Sequence, residues 1–238
     1  MTDAGAPGNT AVTPPKMPKW EADARDRVKF GIKKFSKPLA EFLARDANEG
    51  DTRLLVTDFL CEALGFDKFA DLTTEYMVKG EFADFGVRID KQLVAFIEVK
   101  RVATKLNEHH LRQVEMYAVN EGIEWMMLTN GIQWQAYHMT PGLPVSIDLA
   151  LDIDILGPDQ PAQKAEALFH LTREALKRHL IDDLWKAKRT TAPKAIAQIL
   201  SSPAVVTVVR KELARQGYRA TDGEVGELVR AAIRGDCL

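Results

Sequence analysis

Cysteine is scarce in this chain. Its 238 residues hold two, Cys61 and Cys237, far apart and in no spacing that suits a metal. Two such thiols make no disulfide framework, which points to a reducing, cytoplasmic setting. Cys61 falls inside an apolar helical pattern and is expected as a buried free thiol. Long apolar runs are missing too: no stretch approaches the roughly 20 residues that cross a bilayer, and no membrane or signal segment is expected. There is no GxxxxGK[ST] phosphate loop, hence no sign of a nucleotide-driven motor, and no internal repeat. A charge excess of one sign is absent overall, with a net charge of −2. The balance is uneven along the chain, however. Residues 1–47 carry nine Lys/Arg against six Asp/Glu, residues 48–140 nine against fifteen, and residues 159–238 fourteen against ten. A domain that grips nucleic acid unaided is usually basic, because phosphate neutralisation supplies most of the affinity. The middle of this chain is acidic.

Residues 1–19 are rich in Pro, Gly and Thr and read as a disordered tail. Residues 20–47 are basic with scattered anchors, Val28, Phe30, Ile32, Phe35, Leu39, Phe42 and Leu43, and predict a helix or two. Asn48 or Asp51 caps a helix that Gly65 stops after Leu64, with Leu55, Val56, Phe59, Leu60, Ala63 and Leu64 on the 3.6-residue period. Residues 73–78 are β-leaning. Residues 83–89 and 93–101 flank the polar turn Asp90-Lys91-Gln92 and predict a hairpin. Asn107 caps a helix expected to reach Asn120. Residues 125–129 and 132–137 flank Asn130-Gly131, a strong hairpin signal. This order predicts an α/β fold, a mixed central sheet flanked by helices, over residues 20–157. Residues 149–157 read as an edge strand or connector. Residues 158–238 read as a helical region, with one long helix from Pro161 to about Lys188. Further helices begin at Pro193 and Pro203, and a last one opens on the capping box Thr221-Asp222-Gly223-Glu224.

The chemistry concentrates in the first hairpin. Alternation on a strand points Glu98 and Lys100 one way and Ile97 and Val99 the other, into the core. A three-residue turn at 90–92 pairs Ile89 with Leu93 and sets Asp84 opposite Glu98, about 5 Å away. Two carboxylates that close repel unless a cation joins them, and oxygen ligands with open water positions suit Mg²⁺ or Mn²⁺. A lysine aimed into the same cleft could hold a water for attack on phosphorus. As a bare pattern, Asp, thirteen residues, then Glu-x-Lys also suits a solvated hairpin face with an ordinary ion pair. Against that, Glu98 and Lys100 follow Val94-Ala95-Phe96-Ile97, a run apolar enough for a central strand, where charges rarely sit unpaired.

The flanking residues carry a resemblance. Asn48-Glu49-Gly50-Asp51-Thr52-Arg53, followed by LLVTDFLCEALGFD, resembles the opening helix of the type I restriction enzyme R-protein N-terminal family, within the PD-(D/E)XK nuclease superfamily. The likeness continues through Ala83-Asp84-Phe85, Ile97-Glu98-Val99-Lys100-Arg101, Gln113 with Tyr117, and Leu128-Thr129-Asn130-Gly131, in the family's order over residues 48–138. It implies a metal-dependent DNA endonuclease using Mg²⁺ (or Mn²⁺). Asp84 and Glu98 would be metal carboxylates, the Val99 carbonyl a further ligand, Lys100 the catalytic lysine and Glu49 the helix acid near the metal. Gln113 and Tyr117 would help to place DNA, with Arg101 and Arg112 as further substrate contacts. One departure is Ala83, where the superfamily's name has a proline. From the residues alone, Gln113 and Tyr117 share a helix face, while Leu111, Val114 and Ala118 form an apolar stripe. Lys105 and Arg112 suit phosphate contact or plain solvation equally.

Other residues are better read blandly. His109 and His110 are adjacent and cannot share a helix face. Trp125 and Trp134 suit core packing, and Asp148, Asp152 and Asp154 a solvated acidic edge. In the helical region Leu168, Leu171, Ala175 and Leu184, with Phe169, Leu176 and Leu180 beside them, form a wide apolar surface for the sheet domain or a second copy of the chain. Lys194, Arg210, Lys211, Arg215, Arg219, Arg230 and Arg234 suit a solvated bundle or a nucleic-acid contact. The resemblance, without a motor, implies a stand-alone relative of the restriction subunits, acting alone or with a helicase or specificity partner. Two functions follow: an active nuclease on DNA, or a silent scaffold working through its helical tail. Both carboxylates within ligand distance of one point favour the first. An arginine or lysine plugging the site favours the second.

Overall fold

The computed structural model describes residues 17–78, 81–110, 121–142 and 145–234. Helix α1 (Lys19–Ala44) buries Ala24, Val28, Ile32, Phe35 and Leu39, one residue every three or four, so a single stripe faces the core. Helix α2 (Glu49–Glu62) begins at Asn48, whose side chain accepts the Asp51 N–H at 2.8 Å and satisfies one of the orphan donors of the first turn. The two helices cross closely at Gly31, where any β-carbon would collide with Ala63. Together they lie on a six-stranded mixed sheet, so the architecture is α/β as the pattern of elements predicts.

The strands β1 (Leu72–Val78), β2 (Glu81–Ile89), β3 (Gln92–Val99), β4 (Trp125–Thr129), β5 (Gln133–Thr140) and β6 (Ser146–Asp154) lie side by side in chain order. All neighbours are antiparallel except β3 and β4. That parallel pair needs a crossover, supplied by residues 100–124. Its described part includes one turn of 3₁₀ helix, Glu108–His110. The helix expected from Asn107 to Asn120 falls largely on residues outside the description. Residues 149–157 resolve into the second half of edge strand β6 and the turn after it.

The β2–β3 turn differs from expectation. Ile89 pairs with Gln92, not Leu93, so the turn is the two residues Asp90 and Lys91, both at positive φ. A bulge then consumes one residue of β3, and from Val87↔Ala95 onward the expected register returns. Two one-residue departures cancel before the strand ends where the chemistry sits. In the β4–β5 turn Gly131 takes φ +84, and the Asn130 carboxamide oxygen accepts the N–H groups of Ile132 and Gln133.

One face of the sheet, with Phe85, Val87, Ile97, Val99, Met127, Trp134 and Leu151, packs on α1 and α2 in the main core. The other carries a smaller cluster around Phe96, Met126, Leu128 and Tyr137. Trp125 and Trp134 are both buried, as packing residues should be. Cys61 is a free thiol but only half-buried, a correction to the buried state expected of it.

The long helix expected after Pro161 is three: α3 (Pro161–Phe169), α4 (Arg173–Lys177) and α5 (Leu180–Thr190). Thr172 breaks the first junction by capping α4, accepting the Ala175 N–H, and His179 turns the second in a left-handed conformation. Leu168, Phe169, Leu171, Ala175 and Leu176 are all buried. A straight helix presents one stripe, so burying so contiguous a run requires bends. Helix α5 docks through Trp185, which stacks on buried His138 with ring centroids 3.6 Å apart. Helices α6 (Pro193–Leu200), α7 (Pro203–Arg215) and α8 (Asp222–Arg234) follow, the last held by reciprocal bonds between Thr221 and Glu224.

Candidate functional site

The C-terminal ends of β3 and β4 and the N-terminus of α2 meet above the start of β2. Ile97 and Val99 are locked in the main core, so alternation sends Glu98 and Lys100 to the other side of β3. The pairing of β2 with β3 runs to Phe85↔Ile97, and Asp84 follows beside the end of β3. The end of β3 is pinned from three directions. Lys100 N–H donates to the Thr129 carbonyl at 2.8 Å, Val102 N–H donates to Thr52 Oγ1 at 3.1 Å, and Asn130 Nδ2 donates to the Thr104 carbonyl at 2.9 Å. Thr129 and Asn130 thus act as buttresses of the strand that presents Glu98.

Glu49, Arg53, Glu75, Ala83, Asp84, Glu98 and Lys100 line an open cleft of ≈ 490 Å³. Glu49 and Arg53 are one turn apart on α2 and share a face. Asp84 Oδ2 accepts the Val99 N–H at 2.7 Å, and Asp84 Oδ1 lies 3.0 Å from Arg53 Nε. Lys100 Nζ donates to Glu98 Oε1 at 2.6 Å. The second oxygen, Glu98 Oε2, is buried with no hydrogen-bond partner among the described residues. A buried, unsatisfied carboxylate oxygen costs on the order of 1–3 kcal/mol or more, and a proton, a water or a hard divalent cation would each satisfy it.

Burial pushes the Glu98 carboxyl above its ordinary value, against the opposing pull of its Lys100 hydrogen bond. Burial likewise raises Asp84, against the Val99 N–H and the charge of Arg53. For Lys100 burial works downward, but the Glu98 hydrogen bond and the charges of Glu98, Glu49 and Asp84 outweigh it and the ammonium is held above its ordinary value. It is a donor here, not a base.

Asp84, Glu98, Lys100 and Glu49 are therefore brought to one cleft. Arg101 is not: it turns outward to an ion pair with Asp46 at 2.9 Å. Arg112, Gln113 and Tyr117 lie outside the described residues, as do Leu111, Val114 and Ala118. Asn107 caps the 3₁₀ turn by accepting the His109 N–H. Asp152 accepts from Gln133 and Gln135, Asp154 from the Leu156 N–H and Asp148 from Trp185, so these three acids have protein partners. Among the described residues no three or more His, Cys, Asp and Glu side chains are grouped to hold a metal ion. Asp84 and Glu98 share the cleft, and the orphan oxygen of Glu98 is the feature there that would suit an ion.

Two cleft residues were not legible as such. Arg53 lies in the first turns of α2, but its reach to Asp84 is a tertiary fact. Glu75 looks like an ordinary charge on an edge strand; only its φ of 49°, between the pairs Thr74↔Phe85 and Tyr76↔Ala83, marks it.

Residues 48–145 match the model of the type I restriction enzyme R protein N terminus. The matched segment runs from the Asn48 cap of α2 through β5 and contains every described residue of the cleft. The match suggests a nuclease-related domain. No curated protein and no solved structure matches the chain. Among the described residues no helix is long and apolar enough to cross a membrane.

Proposed function

We infer that the chain is a Mg²⁺- or Mn²⁺-dependent endonuclease that hydrolyses DNA phosphodiester bonds. The observation that carries this reading is the orphan Oε2 of Glu98, buried beside Asp84 and Lys100 in a cleft of the nuclease-related segment. Asp84, Glu98 and the Val99 carbonyl would hold the ion, with Glu49 beside them. When bound, such an ion polarises a phosphate oxygen and lowers the pKa of a water. Lys100 has three N–H donors and spends one on Glu98 Oε1. The other two remain to orient the attacking water and to offset charge on the phosphate as the phosphorus–oxygen bond breaks. Gln113, Tyr117 and Arg112 keep the substrate role that the resemblance implies, and Mg²⁺ keeps the cofactor role. The cleft segment is acidic, so further DNA contacts fall to basic α1 and the helices after Pro193, as does association with a second copy, a helicase or a specificity partner.

The test is nicking of supercoiled plasmid with Mg²⁺ or Mn²⁺. Asp84→Ala, Glu98→Ala and Lys100→Ala should each lose activity by about 10²-fold or more, the scale of one lost electrostatic group, while circular dichroism stays native. Unchanged activity in any two of them removes the mechanism.

A second reading has its own observation. Arg53 stands against Asp84 in the cleft, as expected of a nuclease fold kept as a scaffold. Calorimetry with Mn²⁺ separates the two: a scaffold binds none, and a nuclease binds an ion that Glu98→Ala abolishes.

A further inference from the structure

Arg53 is an unusual neighbour for a carboxylate meant to hold a metal. Its side chain is one-third exposed and reaches from α2 to two acids, Asp84 Oδ1 at 3.0 Å and Glu75 Oε1 at 3.6 Å. The Nε atom is buried, yet among the described residues its N–H forms no hydrogen bond, so its contact with Asp84 is charge attraction. A guanidinium locked for structural purposes uses its fork, as Arg27 does on Glu174 at 3.0 and 2.6 Å. Arg53 does not. Glu75, its other partner, is held over the cleft by a left-handed residue in the middle of an edge strand. Backbone strain of this kind persists where the surroundings impose it, and clusters at sites with two states. Glu98 Oε2 meanwhile has no hydrogen-bond partner among the described residues. The cleft thus holds one carboxylate oxygen covered by a loosely bound cation, one left bare, and a spare acid in reach of that cation.

We propose that Arg53 is an internal counter-cation, a positioning residue that covers Asp84 until a divalent ion binds and then shifts to Glu75. This rests on the metal-dependent reading above and deepens it: the affinity for the ion is set by competition with Arg53. An ion on Asp84 Oδ1 would place two like charges within a few ångströms, so the guanidinium must leave, and Glu75 is the acid it already touches. By linkage, whatever weakens the hold of Arg53 on Asp84 tightens the ion.

The experiment is Mn²⁺ titration calorimetry on the full chain, in wild type and in Arg53→Gln, Arg53→Lys, Glu75→Gln and the Arg53→Gln/Glu75→Gln pair. Arg53→Gln should bind about tenfold more tightly, a coupling of about 1.4 kcal/mol. Arg53→Lys should stay nearer to wild type and guards against a folding defect in the first variant. Glu75→Gln should weaken binding several-fold when Arg53 is present and have no effect in the Arg53→Gln background. Binding in Arg53→Gln that equals or falls below wild type overturns the proposal, while wild-type binding abolished by Glu98→Ala leaves the nuclease reading standing. Equal weakening by Glu75→Gln in both backgrounds makes Glu75 a ligand and overturns its role as receiver. Absence of Mn²⁺ binding from wild type and Arg53→Gln alike overturns this proposal and the nuclease reading together.

Discussion

Glu98 stands 5% exposed in a central strand, with one oxygen on Lys100 and the other without a hydrogen-bond partner among the described residues. Such a residue lowers the stability of the metal-free fold, and the sign of its pH dependence follows. Burial raises its folded-state pKa above the ordinary 4.5. The folded chain therefore holds the Glu98 proton more tightly than the unfolded chain does. The resulting stabilisation is complete below the unfolded value and is lost as pH rises through the folded one. At pH 7.5 in chelator the carboxylate is a cost, and Glu98→Gln removes the charge while keeping an acceptor for Lys100. Its melting temperature should rise by about 2–4 °C, the shift that about 1 kcal/mol produces in a chain of this size, and the gain should shrink towards pH 4.5. Scanning calorimetry at the two pH values checks this. A variant less stable than wild type at pH 7.5 would mean that the Lys100 pair outweighs the burial. Glu98 and Lys100 were legible because charges interrupt an apolar strand. Arg53 and Glu75 were not, because nothing local to either residue says which acid it will face.

At the scale of elements, the register of the site hairpin survives an unexpected turn. Asp90-Lys91 is not a Gly-bearing pair, so alternation alone suggested three turn residues. The structure instead places both residues at positive φ, the requirement of the type I′ turn, and restores the register with a bulge beyond Val87/Arg88. Asp90 is repaid by ion pairs to Lys177 at 2.7 Å and Arg173 at 3.7 Å, contacts made with helix α4 far along the chain. Lys91 has no such reward at φ 71°. Lys91→Gly should therefore stabilise the fold by about 1 kcal/mol, the order of the left-handed penalty it removes. Urea unfolding reads the change, and a loss of stability would show that the Lys91 side chain makes up for its backbone. Long-range partners of this kind also explain the broken helix after Pro161. Apolar periodicity over residues 161–188 was visible, but the wrap around α1 and the sheet that bends it at Thr172 and His179 depends on what lies beneath.

The whole molecule divides by burial more than by composition. The change of texture after residue 157 suggested an α/β unit over residues 20–157 and a helical region beyond, yet the main core continues across that point. Leu168, Leu171, Leu176 and Ile181 belong to it together with Phe35, Phe59 and Trp134. Lys164, buried in α3, donates to the carbonyls of Ile155 and Gly157 and fastens the helix to the end of the sheet. Arg27 and Arg25 of α1 pair with Glu174 and Glu166 across the same seam. After Thr191 the character changes. Within α6, α7 and α8 the buried residues are Val206, Val225 and Gly226, while Ile196, Ile199, Leu200, Val208, Leu228 and Ile233 are exposed. A segment of this size has too little core to fold by itself, and it contributes little to the sheet domain. A chain ending at Thr191 should therefore melt cooperatively within a few degrees of the full chain and keep the same Mn²⁺ affinity. A chain ending at Gly157 would expose the underside of α1 and the sheet, and should be recovered unfolded or aggregated. Calorimetry and near-ultraviolet circular dichroism on the two truncations decide it. A folded chain ending at residue 157 would return the boundary to the place the composition suggests, whereas collapse of the chain ending at Thr191 would give α6–α8 a structural role that their burial does not show.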